Sequence, residues 1–72
     1  MARALTYQEY KFLCLNSVTK GVKEYRCFFI APEPDEKRAF DTMRKLLKFT
    51  GRDNVSPVKI VEHKETAIVW ND

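Results

Sequence analysis

The stretch Glu33–Gly51, EPDEKRAFDTMRKLLKFTG, decides the fold. Apolar residues recur at Ala39, Phe40, Met43, Leu46 and Leu47. Steps of three and four line one side of an α-helix. Pro32 and Pro34 precede it, and proline is tolerated in a first turn because its missing N–H has no partner there. Glu33, Asp35 and Glu36 gather where the helix dipole favours anions, and Lys45 and Lys48 where it favours cations. Asp41 lies four residues before Lys45, a spacing suited to a helix ion pair. Gly51 supplies the left-handed stop. The stretch predicts one amphipathic helix with an apolar stripe and a basic outer side.

Upstream, Tyr10–Val18 (YKFLCLNSV) and Val22–Ala31 (VKEYRCFFIA) are rich in aromatic and β-branched residues and predict a hairpin. Thr19-Lys20-Gly21 reads as a three-residue loop with Gly21 in the left-handed position. That loop sets Tyr10 opposite Ile30 and Phe12 opposite Phe28. Leu13, Leu15, Tyr25, Cys27 and Phe29 then share a core face. Tyr10, Phe12, Phe28 and Ile30 form an apolar patch on the other face. A register one residue different exchanges the two faces, and N-terminal residues folding back would cover the patch. Thr6-Tyr-Gln-Glu9 also matches a capping box, with Leu5 and Tyr10 as a staple. A helix lined by Tyr7, Tyr10, Cys14 and Val18 is therefore a competing reading. The aromatic and β-branched second half of the hairpin favours strands.

Downstream, Arg52–Pro57 reads as a loop and Pro57–His63 as a third strand. Lys64-Glu65 reads as a turn and Thr66–Trp70 as a fourth strand. The expected architecture is α+β: a small antiparallel sheet with one amphipathic helix on one face, in the order β-β-α-β-β. One helix covers one face of such a sheet and leaves the other partly open.

Composition bounds the rest. Seventy-two residues make a single small domain, 1–72. The 44% apolar content is enough for a core. The net charge of +3 and pI near 9.0 are compatible with an acidic or nucleic-acid partner. No apolar run approaches a membrane span of about 18 residues. The first residues lack the apolar region of a secretion signal. Two cysteines make no disulfide framework. The expectation is a cytoplasmic protein with reduced thiols and no membrane partner.

Catalytic chemistry has little to work with. His63 is the sole histidine, and no third group is placed to orient a base toward Cys14 or Cys27. Ser17 and Ser56 lie outside any nucleophile elbow. Two glycines cannot build a glycine-rich phosphate loop. A metal site would require Cys14, Cys27 and His63 to converge without a Cys-x-x-Cys pair. A two-residue Lys20-Gly21 turn would bring Cys14 across from Cys27 and permit a disulfide. The expectation is a non-enzymatic protein with no cofactor and no metal.

Binding has two candidate surfaces. Lys37, Arg38, Arg44, Lys45, Lys48 and Arg52 place six positive charges in sixteen residues, against Asp41 alone. Such a side suits phosphate contact, docking on an acidic protein, or plain solvation. Tyr10, Phe12 and Phe28 form the second surface. Glu24–Phe29 lacks the glycines of an RNA-recognition signature, and one helix cannot form a helix-turn-helix unit. A small basic nucleic-acid-binding protein is the alternative reading.

The layout resembles the small phage-encoded regulators of host bacterial RNA polymerase. The resemblance is carried by the aromatic strand Tyr10-Lys-Phe-Leu13, the return ending Phe28-Phe-Ile-Ala31, the acid-started helix at Pro34-Asp-Glu36 and the strand Val58-Lys-Ile-Val61. It spans most of residues 10–61 and rests on layout and size. The basic helix side departs from the acidic-helix members of that group. The resemblance implies a cytoplasmic protein of the bacterial host that binds RNA polymerase stoichiometrically and inhibits initiation or permits antitermination. It assigns no individual contact residues.

Overall fold

The computed structural model describes residues 2–71. Three strands and one helix follow in the order β1 (Ala2–Asn16), β2 (Val22–Ile30), α1 (Glu36–Phe49), β3 (Val55–Asn71). All strand pairs are antiparallel, and the sheet order is β2-β1-β3. β2 and β3 therefore run parallel to each other with β1 between them. A connection between parallel strands must cross a sheet face, and α1 makes that crossing. The fold is a small α+β domain in which one helix covers one face of an antiparallel sheet.

The helix follows its sequence signals. Asp35 is the N-cap, its side chain accepting the Arg38 N–H at 3.0 Å. Ala39, Met43 and Leu47 are buried, Phe40 is half-buried, and Leu46 lies at the margin of the stripe, 43% exposed. Gly51 adopts φ +80°, and the Arg52 N–H returns to the Leu47 carbonyl. Asp41 pairs with Arg44 at 3.2 Å rather than with Lys45.

β1 begins at Ala2, so the capping-box residues Thr6–Glu9 are strand, not helix. The partners available to them decide this: Tyr7 and Gln8 pair on both sides, with Ile30 and Phe29 of β2 and with Thr66 and Glu65 of β3. Lys64-Glu65 is likewise strand, and the expected third and fourth strands are one continuous β3. That dipeptide lacks the Gly, Asn or Pro that tight turns require, and the long β1 gives it a partner.

The hairpin register differs from expectation. Tyr10 pairs with Cys27, and Phe12 with Tyr25. The connection is longer, because the Asn16 N–H binds the Gly21 carbonyl and the Lys20 N–H binds the Asn16 carbonyl. The Asn16 side chain accepts the N–H groups of Val18 and Thr19. Lys20, not Gly21, takes the positive φ, at 64°. The shift from Tyr10–Ile30 to Tyr10–Cys27 is three residues. An odd shift turns β1 over relative to β2. Tyr10, Phe12 and Cys14 therefore join Tyr25, Cys27 and Phe29 beneath the helix, while Leu13 and Leu15 go to the other side.

The core lies between these residues and α1. Phe12 meets Phe40 edge-on at 4.8 Å, and Tyr10 stacks on Phe29 at 5.8 Å. The Tyr10 hydroxyl accepts the Asp35 N–H at 2.9 Å, fixing the helix start to the sheet. The protein is elongated, 52 × 22 × 17 Å. A 14-residue helix is about 21 Å long, so it cannot cover strands that run the length of the molecule.

Candidate partner-binding site

Alternation along the strands assigns the uncovered face. Tyr7 pairs with Ile30, Glu9 with Phe28, Leu5 with Ile68 and Arg3 with Trp70. Residues directly opposite share a face. Leu5, Tyr7, Phe28, Ile30, Ile68 and Trp70 thus form one apolar group away from the helix. Phe28 is 67% exposed and Ile30 59%. The Tyr7 ring holds the Phe28 ring edge-on at 6.0 Å.

A charged band bounds this group. Lys11 bridges Glu62 at 3.1 Å, Lys64 bridges Glu62 at 3.4 Å, and Arg26 approaches Glu9 at 3.9 Å. The two lysines, Lys11 first, hold the Glu62 carboxyl below its ordinary value. Beyond the band, Leu13, Leu15 and Val22 make a second, smaller apolar area next to the hairpin loop. Large exposed apolar groups rimmed by polar residues mark interaction sites.

Of the three aromatics expected at the patch, only Phe28 is there. Tyr10 and Phe12 are in the core, at 1% and 0% exposure. The hairpin register is the physical reason. Leu5, Tyr7, Ile68 and Trp70 were not expected at a site. Leu5-Thr-Tyr7 carried a period-two signal, but the capping-box pattern competed with it; Ala67–Trp70 is apolar throughout, so it marks a strand without marking a face.

The basic residues are all exposed, yet three of them already cover aromatic rings. The Arg38 guanidinium lies 4.5 Å from the Phe29 ring centre, Arg44 lies 5.6 Å from Phe40, and Arg52 lies 5.6 Å from Tyr25. Arg44, Lys48 and Arg52 line an open groove of about 350 Å³ with Asp53, Val55 and Ser56. Lys37, Arg38 and Lys45 are outside it. The set is therefore divided, and Asp53 together with the negative end of the helix dipole offsets part of its field in the groove.

The thiols and the imidazole are kept apart. Cys27 of β2 and His63 of β3 pair with opposite sides of Tyr10, two strand spacings or roughly 10 Å apart along the backbone. The Tyr10 ring stacks on the imidazole at 4.5 Å. The Cys14 thiol donates to the Phe12 carbonyl and the Cys27 thiol to the Ala39 carbonyl. Burial pushes Cys14 up, and burial followed by the nearby Cys14 pushes Cys27 up to about 11. Such thiols are poor nucleophiles. The register sets Cys14 opposite Lys23 and Cys27 opposite Tyr10, so the two cysteines are four positions out of step and cannot form a disulfide. Among the described residues, no group of three His, Cys, Asp or Glu side chains is placed to hold a metal ion. No described helix is long and apolar enough to cross a membrane.

Gln8, fully buried, ties the strands together beside the apolar group. Its amide nitrogen donates to the Ala31 carbonyl at 3.2 Å and to Glu65 Oε1 at 2.7 Å. Its oxygen lies 2.6 Å from His63 Nε2, which must carry the proton. The single histidine is thus a structural partner of β1.

The chain matches no protein-family model, no curated protein and no solved structure.

Proposed function

We propose that this chain is a non-enzymatic binding protein that docks on a protein partner through its uncovered sheet face. The observation that carries the reading is the apolar group of Leu5, Tyr7, Phe28, Ile30, Ile68 and Trp70 on that face. The partner suggested by the strand and helix layout is bacterial RNA polymerase. A domain of this size acts there by occupying a surface, so that initiation is inhibited or antitermination is permitted. Neither outcome requires chemistry, which agrees with a buried Cys27 and a His63 committed to Gln8.

A second reading is nucleic-acid binding at the groove of Arg44, Lys48 and Arg52. The two differ in salt dependence. Phosphate contacts release counterions, so affinity falls steeply as salt rises, whereas apolar docking does not. The test is co-elution with purified bacterial RNA polymerase at moderate salt. The wild-type chain and a variant with Lys37, Arg38, Arg44, Lys45 and Lys48 changed to Glu should both bind, and Phe28→Ser should not. No complex with the wild-type chain sinks the polymerase assignment. Loss in the charge variant alone moves the site to the helix.

A further inference from the structure

The ends of β1 and β3 form a ribbon that the rest of the fold leaves bare. β2 stops at Ile30, opposite Tyr7, and the Ala31 N–H makes the last bond to β1 at the Thr6 carbonyl. Beyond that point residues 2–6 pair only with residues 67–71. The ribbon is apolar on both faces. Leu5, Ile68 and Trp70 lie on one, and Ala4, Ala67 and Val69 on the other, where Val69 is 67% exposed. A two-stranded ribbon alone is marginally stable in water.

The outer edge of β3 shows where a further strand can add. Natural edges are blunted by proline, bulges and lysine. The part of β3 up to Lys64 carries all three: Pro57, register irregularities against Lys11/Phe12 and Leu13/Cys14, and Lys59 and Lys64. Thr66-Ala-Ile-Val-Trp-Asn71 carries none of them. It is neutral, β-branched and open.

We infer that this segment pairs with the same segment of a second copy, antiparallel about a twofold axis at Ile68. The charges keep the axis within this segment, and Ile68 is the midpoint of residues 66–70. Centred on Ile68, the pairing sets Thr66 opposite Trp70, Ala67 opposite Val69 and Glu65 opposite Asn71, and no like charges meet. Centred on Lys64 or Glu65, it would set like charges face to face, which is destabilising. A neutral edge also offers nothing to attract a charged foreign strand. A twofold axis perpendicular to the sheet keeps residues 66, 68 and 70 of both copies on one side. The product is a continuous six-stranded sheet with both helices on one face and a doubled apolar face on the other. About six residues per copy make a small contact, below about 1,200 Å² in total and so in the weak class. The dimer is therefore weak and forms only at raised concentration.

The test is sedimentation equilibrium of the full chain from micromolar to millimolar concentration, with amide exchange measured across the same range. The expected result is a rise from monomer to dimer mass and growing protection of alternate amides within residues 66–70. Ile68→Lys and Val69→Lys, on opposite faces of the ribbon, should each hold the chain at monomer mass with an unchanged circular dichroism spectrum. A monomer at every concentration without added protection overturns the inference. So does a dimer that survives both substitutions. Polymerase binding is scored separately and does not depend on this outcome.

Discussion

Gln8 is a polar side chain at 0% exposure, and all its hydrogen-bonding groups are used. Replacing it with Leu leaves the Ala31 carbonyl without its side-chain donor and releases Glu65 and His63. A buried polar group left without its partner costs about 1–3 kcal/mol, so Gln8→Leu should lower the free energy of unfolding in urea by that amount with the helical signal retained. Cys27 gives a pH prediction. Its thiol is neutral in the fold and stays so to about pH 11, whereas the ordinary value is 9.0. The unfolded chain therefore loses this proton first as pH rises. The stability linked to it is present in full below about pH 9 and is lost on the way to pH 11. Urea unfolding along that range should show a fall on the order of 1–2 kcal/mol, reduced in Cys27→Ala. Tyr10 and Phe12 show why single residues were hard to place. Their identity suits a core or a docking patch equally well, and only the register tells which.

At the scale of elements, α1 was legible in its stripe and its stop, and the strands only partly. Stripe and stop lie within one continuous segment, so local physics suffices for them. Met43 is fully buried, and Met43→Ala should cost about 2–5 kcal/mol, close to the whole margin of so small a domain. Gly51→Ala meets no atom within 4 Å, and only its φ of +80° opposes it. The expected loss is about 1 kcal/mol, measured by thermal unfolding. The hairpin was harder because its connection is held by the Asn16 side chain and a lysine in the left-handed region, neither of which announces a loop length. Lys64-Glu65 read as a turn because both residues are polar. In the fold Lys64 bridges Glu62 and Glu65 accepts from Gln8. Their partners lie more than fifty positions away in β1 or on β3 itself, and local composition does not reveal the former.

For the whole molecule, the decisive fact is a mismatch of lengths. β1 and β3, at 15 and 17 residues, outrun a helix of 14 that advances less than half as far per residue. The helix completes a core at one end of one face and leaves the other face and the far ribbon bare. The partly open sheet expected from a one-helix domain is thus present, but of the expected patch Tyr10 and Phe12 are in the core, while Phe28 and Ile30 are on the open face together with Leu5, Tyr7, Ile68 and Trp70. Ile30→Ser removes exposed apolar surface, and Phe28→Ser also removes the edge-on contact with Tyr7. The first should change folding stability by less than about 0.5 kcal/mol and the second by about 0.5–1.5 kcal/mol, while each weakens partner binding at least tenfold, as read by competition with the labelled wild-type chain. Hydroxyl-radical footprinting of the chain bound to bacterial RNA polymerase compares the faces within a single sample. Docking on the open sheet predicts that Tyr7, Phe28 and Trp70 are shielded while Phe49, 90% exposed on the helix, reacts as in the free chain. Shielding of Phe49 with Tyr7, Phe28 and Trp70 still reactive would contradict it.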